Sequence, residues 1–238
     1  MYPDSLVIGK NAVIGEHVEF GEHVTIGHNV VIYDGCKIGS YTIIQDNVVI
    51  GKQPTRAKNS ILPDVNKLPP TIIGSGCTIG TSAIIYANAE LANDVFVADL
   101  ATIRERVSIG ERTIVGRGVA VENDCTIGLK CKLETNSYIT AYSTLGDYVF
   151  IAPYVVTTND NYMGRTKERL TKFKGVTVRT GGRIGANSTI LPGKVIEEDG
   201  VVAAGSVVTR NVISRELVVG SPAKFLREVP DDQLLKNQ

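Results

Sequence analysis

At 238 residues and 43% hydrophobic side chains, the chain is long enough to bury one large core and too apolar for a disordered protein. Its 25 basic and 25 acidic side chains cancel, and no cluster of lysine and arginine is interleaved with aromatics, so charge makes no case for a nucleic-acid or anionic-membrane surface. No segment has the roughly 18 consecutive apolar residues of a membrane span, and the stretch Met1 to Lys10 lacks the basic and apolar regions of a signal peptide; the expectation is a cytoplasmic protein.

In chain order, a large apolar residue recurs every six positions: Ile8, Ile14, Phe20, Ile26, Ile32, Ile38, Ile44 and Ile50. The register breaks, restarts at Ile73 and runs by sixes to Ile151, then breaks again before a third run from Val178 to Val208. A helix would repeat at three and four and a plain strand at two, so neither reproduces a sustained six. Six residues make one short strand plus one corner. Three such units close a triangular coil of about eighteen residues, and stacked coils pair along parallel sheets about 4.8 Å apart. The position after the large residue is often glycine (Gly9, Gly39, Gly80, Gly128, Gly185), which predicts an unusual backbone angle there. The position four after it is small or branched and is predicted to point inward beside the corner.

His17, His23 and His28 fall on three successive corners of the first run. Zinc needs ligands converging at about 2 Å, so these are predicted as solvated corner residues, a site assembled between subunits being the alternative. All four cysteines, Cys36, Cys77, Cys125 and Cys131, occupy the small inward position without Cys-x-x-Cys spacing, which predicts buried thiols and no metal.

The two breaks are predicted as inserted loops over about 52–71 and 158–176. Numbering the faces puts both on one edge of the prism, an edge that also carries Tyr86, Asn88, Arg104, Glu105, Glu122, Asn123, Tyr142 and Ser143. Loops held by a rigid scaffold are where binding and catalysis concentrate, although a loop can equally clasp a neighbouring subunit. The third run has small corners, Gly181-Gly182, Gly185-Ala186 and Ala203-Ala204-Gly205, against which an extended ligand can lie. One domain is expected over 1–226, followed by a short helix or tail over 227–238.

These residues resemble the six-residue-repeat acyltransferases. That resemblance implies an all-β, left-handed parallel β-helix, a homotrimer, and acyl-CoA lying between neighbouring prisms, with acetyl-CoA as the acyl donor and no metal. The stretches Arg183 to Gly193, Val202 to Thr209 and Gly220 to Lys224 look like the coenzyme A-carrying part of such enzymes, which implies contacts from Gly182, Ala186, Ala204, Gly205 and Lys224. Thr157-Thr-Asn-Asp160, with Leu133-Glu-Thr-Asn136, Val97 to Arg104 and Gly164 to Leu170, is similar to the N-acetyltransferases of dTDP-linked 3-amino- and 4-amino-dideoxyhexoses, enzymes of lipopolysaccharide and other glycan synthesis. A UDP-linked sugar is the alternative acceptor.

Relatives that act through a histidine base differ from this chain, in which no histidine follows His28. A hydroxyl needs a base, whereas a partly neutral amine attacks a thioester once it is positioned. The expected catalytic set is Glu134 and Asp160 to hold the amine and Asn136 and Asn159 for positioning or the oxyanion, with Tyr86, Asp99 and Arg104 as substrate contacts. O-acetylation on the same scaffold, a γ-carbonic-anhydrase-like protein and a non-catalytic β-helix are the competing readings.

Overall fold

The computed structural model describes residues 2–60 and 66–238; Met1 and positions 61–65 of the first predicted insertion lie outside the described residues. The chain winds into a left-handed parallel β-helix of about 12 turns, with three parallel sheets forming the faces of a prism. Most strands are two residues long, as in Thr102–Ile103 and Thr126–Ile127. The first side chain of each pair points outward and the second into the prism, so the large residue of the hexad is the buried one. Register advances by one coil: Ile85 pairs with Ile103, Ile103 with Val121 and Val121 with Ile139. Winding resumes in register across both insertions, Ile50 pairing with Ile85 and Leu145 with Val178.

The glycines after the large residues correct one expectation. Most have ordinary backbone angles, and the left-handed conformation falls two residues later, at Asn11, His17, Asn29, Tyr142 and their non-glycine equivalents, with φ between 51° and 66°. What demands glycine is the next coil. A Cβ on Gly80 would stand 2.6 Å from the backbone nitrogen of Asp99, and one on Gly146 2.7 Å from that of Thr180. Corner side chains also stitch coils together: the Asp34, Asp99 and Asp147 carboxylates accept the amides of Glu16, Thr81 and Leu129 at 2.9–3.0 Å. Local polar side chains of this type are suited to turns because they complete hydrogen bonds that the backbone cannot.

All four cysteines are free and buried in the prism. Burial pushes each thiol up, Cys125 to about 12 and Cys131 to about 11. Because the thiolate is the reactive species, a native sample titrated with an aromatic disulfide at pH 8 should release almost no chromophore. The same sample in denaturant should release four equivalents, and fast native labelling would contradict this packing.

The carboxyl end differs from the predicted tail. Glu216–Gly220 pairs parallel with Val201–Val202 and antiparallel with Ala223–Glu228, so residues 227 and 228 belong to a hairpin that closes the end of that sheet. Two 3-10 turns follow, Asp231–Gln233 and Leu235–Asn237, and Val229 and Leu234 are buried against the helix. Among the described residues no helix is long and apolar enough to cross a membrane.

Candidate functional site

Both insertions leave the prism where the sheet containing Val49–Lys52 and Val156–Thr157 hands over to the sheet containing Ile72–Ile73 and Thr177–Val178. The shared edge expected from the hexad register is therefore present. Four uninterrupted corners lie between the two exits, which are five coil steps or about 24 Å apart at 4.8 Å per step, and the insertions reach toward each other across them.

The neck of the first insertion is closed by Gln53, whose side-chain amide donates to the Leu68 carbonyl at 3.0 Å and accepts the Leu68 amide at 2.9 Å. Beyond the neck, Arg56 reaches the Glu105 carboxylate at 3.3 Å, and Asn59 and Ser60 face the corners above. The second insertion is organised by Asp160, which accepts the amides of Tyr162 (2.8 Å) and Gly164 (3.0 Å) and an Arg169 guanidinium N–H (2.9 Å). The Gly164 amide foremost, then Tyr162 and Arg169, holds the Asp160 carboxyl below the usual carboxylate range. Arg169 in turn lies over the Phe173 ring, 5.6 Å from its centroid.

Between the insertions is a cleft of about 350 Å³ whose floor is Glu122, Asn123, Tyr138, Thr140 and Tyr142 and whose walls are Asn59, Asn159, Arg169 and Phe173. That volume lies within the range of small-ligand sites. Burial pushes the Glu122 carboxyl above the ordinary value; Arg104 opposes the shift and Glu105 adds to it. Burial also raises Tyr138, with Glu122 reinforcing the effect. Asp124 behaves oppositely. Burial pushes it up, but the Arg106 fork at 2.6 and 2.8 Å, together with Asn123, outweighs burial and holds it down. The floor thus offers a carboxylate that binds a proton more readily than usual beside donors from Asn159 and Arg169, an arrangement able to take a proton from a nucleophile and to hold developing negative charge.

The sequence-predicted residues divide among separate places. Asn159 lines the cleft, Asp160 lies behind it as organiser of the loop, and Arg104 reaches Glu122 at 3.6 Å while stacking on Tyr86 at 4.6 Å. Glu134, Asn136 and Asp99 sit on the next edge of the prism, so the four predicted catalytic residues do not meet within one chain. Asp99 spends its carboxylate on the Thr81 amide. Ala186, Ala204 and Gly205 occupy the same edge as Glu134, higher along the axis, and Gly205 has a φ of 69° and open space where a Cβ would project. Gly182 lies on the third edge, where a Cβ would strike the Val178 side chain at 2.6 Å, a packing reason for glycine. Lys224 is on the terminal hairpin. Glu122, Tyr138, Arg169 and Phe173 are among the lining residues outside the expected catalytic and substrate-contact set. The sequence places Glu122 on the shared edge without a role, Arg169 and Phe173 belong to the second insertion, and Tyr138 faces outward from the strand Tyr138–Ile139 that leads to that edge.

The histidines occupy three different edges, with His28 accepting the Lys10 amide and His23 stacked on Tyr41. They do not converge within the chain.

Comparison with known proteins places these features in context. Residues 17–52 match the model described as bacterial transferase hexapeptide (six repeats), and residues 101–141 and 181–210 match hexapeptide repeat of succinyl-transferase. A bifunctional protein GlmU from Alkaliphilus oremlandii is 31% identical over 76% of this chain and 37% of its own length. The mitochondrial gamma carbonic anhydrase 2 of Arabidopsis thaliana is 30% identical over 60% of this chain and 51% of its own. The chain thus spans about a third to a half of the curated relatives it matches. The LpxA structure from Acinetobacter baumannii superposes with a TM-score of 0.56 at 16% identity, covering 95% of this chain and 74% of that one, a likeness of fold. Repeats and winding together make this chain a hexapeptide-repeat protein folded as a left-handed parallel β-helix.

Proposed function

We propose that the protein is an acyltransferase that moves an acyl group, acetyl foremost, from a coenzyme A thioester to the amine of a nucleotide-linked amino sugar bound in the cleft between the insertions. The dTDP-linked amino-dideoxyhexoses are the preferred acceptors, for the similarity carried by Thr157 to Asp160. The observation that carries the reading is the Glu122 carboxyl: half-buried, raised in proton affinity and on the floor of a cleft walled by both loops. The transferase and succinyl-transferase descriptions of the matching repeats support acyl transfer.

In this reading the amine nitrogen attacks the thioester carbonyl carbon, Glu122 takes the proton that nitrogen sheds, and the C–S bond breaks to release the thiol, which acquires a proton as it leaves. Asn159 and Arg169 orient the acceptor and meet negative charge on the carbonyl oxygen. The edge bearing Ala186, Ala204 and Gly205 offers exposed backbone to the donor, and Glu134 and Asn136 on that edge enter the site from a neighbouring subunit of a trimer.

Incubation with acetyl-CoA and a panel of dTDP- and UDP-linked amino sugars should release free thiol and yield the amide. Turnover with acceptors carrying only hydroxyls would favour O-acetylation, and no thiol release across the panel would overturn the reading.

A further inference from the structure

Glu105 is an anomaly in its column. The equivalent residues of the coils on either side, Ala87, Asn123 and Ala141, are neutral and buried, yet Glu105 is an acid with a fully buried side chain. Removing a carboxylate from water is costly unless it is paired, and here the pairing is double. Arg104 donates to it from Nε at 2.8 Å and from Nη2 at 3.2 Å, and Arg56 of the first insertion donates from Nη2 at 3.3 Å. Arg104 turns its remaining nitrogen, Nη1, toward Glu122 at the longer distance of 3.6 Å, while its plane is held over Tyr86. Among the described residues Arg56 makes no other ion pair, and its Nε is buried without a partner there. The four side chains form one line from the first insertion to the floor of the cleft.

We infer that Glu105 is a positioning residue that joins the first insertion to Glu122 through Arg104. This role rests on the cleft being the acceptor site, and it deepens that reading by making a residue that touches no substrate set the state of one that does. By taking the two short bonds of Arg104, Glu105 leaves Glu122 only weakly paired with the same guanidinium. Among the described residues, the charged and titratable groups around Glu122 are Arg104, Glu105 and Arg106 from the coil before it, with Tyr86 beneath Arg104; Asp124 and Cys125 from its own coil; Tyr138 and Tyr142 from the coil after it; Arg56 from the first insertion; and Asp160 and Arg169 from the second. Of these, Glu105 alone competes with Glu122 for Arg104.

The test is titration of the Glu122 carboxyl by NMR in 13C-glutamate-labelled full-length protein, the signal being assigned by its loss in Glu122→Gln. In Glu105→Gln the negative neighbour disappears and Arg104 is released toward Glu122, so the midpoint should fall by about one pH unit. In Arg56→Gln a positive charge is lost and Glu105 draws Arg104 closer, so the midpoint should hold or rise; the loosened first insertion should raise KM for the acceptor with less effect on kcat. If Glu105 merely filled space, the Glu105→Gln midpoint would not move and the Arg56→Gln KM would not change. An unmoved midpoint in Glu105→Gln overturns the proposal. Should that variant fail to fold, a fall in Arg56→Gln, or an unchanged KM together with an unchanged midpoint, overturns it instead. A shifted midpoint in a protein that transfers no acyl group would sustain the coupling and remove the proposed function, so the two readings fail separately.

Discussion

Glu122→Gln is expected to lower kcat for amine acylation by about two to four orders of magnitude, the usual contribution of a positioned general base. Glutamine keeps the shape and the hydrogen-bonding edge but cannot take the proton, so KM should change little. The same substitution should leave the protein as stable or more stable near neutral pH. The Glu122 pKa is raised by folding, so the folded state holds this proton more tightly than the unfolded chain. Stability associated with it is present below the unfolded value and is lost as pH rises through the folded one, and glutamine removes that loss. A large fall in kcat with an unchanged or higher melting temperature would therefore locate the effect in chemistry. In the wild type, kcat/KM should climb through a pKa above the ordinary glutamate value of about 4.3; full activity of Glu122→Gln would remove Glu122 from the mechanism.

The second large effect is expected in the prism. Ile103 is fully buried and paired between Ile85 and Val121 in successive coils. Ile103→Ala should cost about 2–5 kcal/mol, because neighbouring strands are fixed by their own ladders and cannot collapse into the space. For a chain of this size that corresponds to a fall in melting temperature of about 10 °C. The outward neighbour Thr102→Ala should change stability by about 0.5 kcal/mol or less. Hydrogen exchange would sharpen the comparison. In a solenoid each coil contacts only its neighbours, so lost protection should centre on the coils of residues 85, 103 and 121 and fade toward both ends. Uniform loss along the axis would contradict this picture.

The sequence located the edge on which the cleft lies, and of its candidate residues Asn159 lines the cleft while Arg104 stands beside it, 3.6 Å from Glu122. It grouped Glu134 and Asn136 with Asn159 and Asp160, which the structure separates onto two edges. The cause is the repeat itself: every corner has the same local pattern, so proximity across the prism is set by coil count and by how far an insertion folds back. Asp160 shows a similar limit. An aspartate at the head of a loop reads equally as ligand or as turn organiser, and only the Tyr162, Gly164 and Arg169 donors on its oxygens reveal the second role.

What the sequence determined by itself was the winding, the inward column of large residues, the burial of the four cysteines, the separation of the histidines and the common edge of the two insertions. All of these follow from a period of six, because periodicity is a local property repeated along one axis. The tertiary structure decided the rest: that the glycines answer to the coil above instead of to a turn angle, that Glu105 is buried beneath Arg56, and that Glu122 lies on the cleft floor, where burial pushes its carboxyl up. Those outcomes depend on the path of two loops without a repeat. Their side chains meet the prism at positions far away in sequence, where burial and charge are set by contacts that no local pattern encodes.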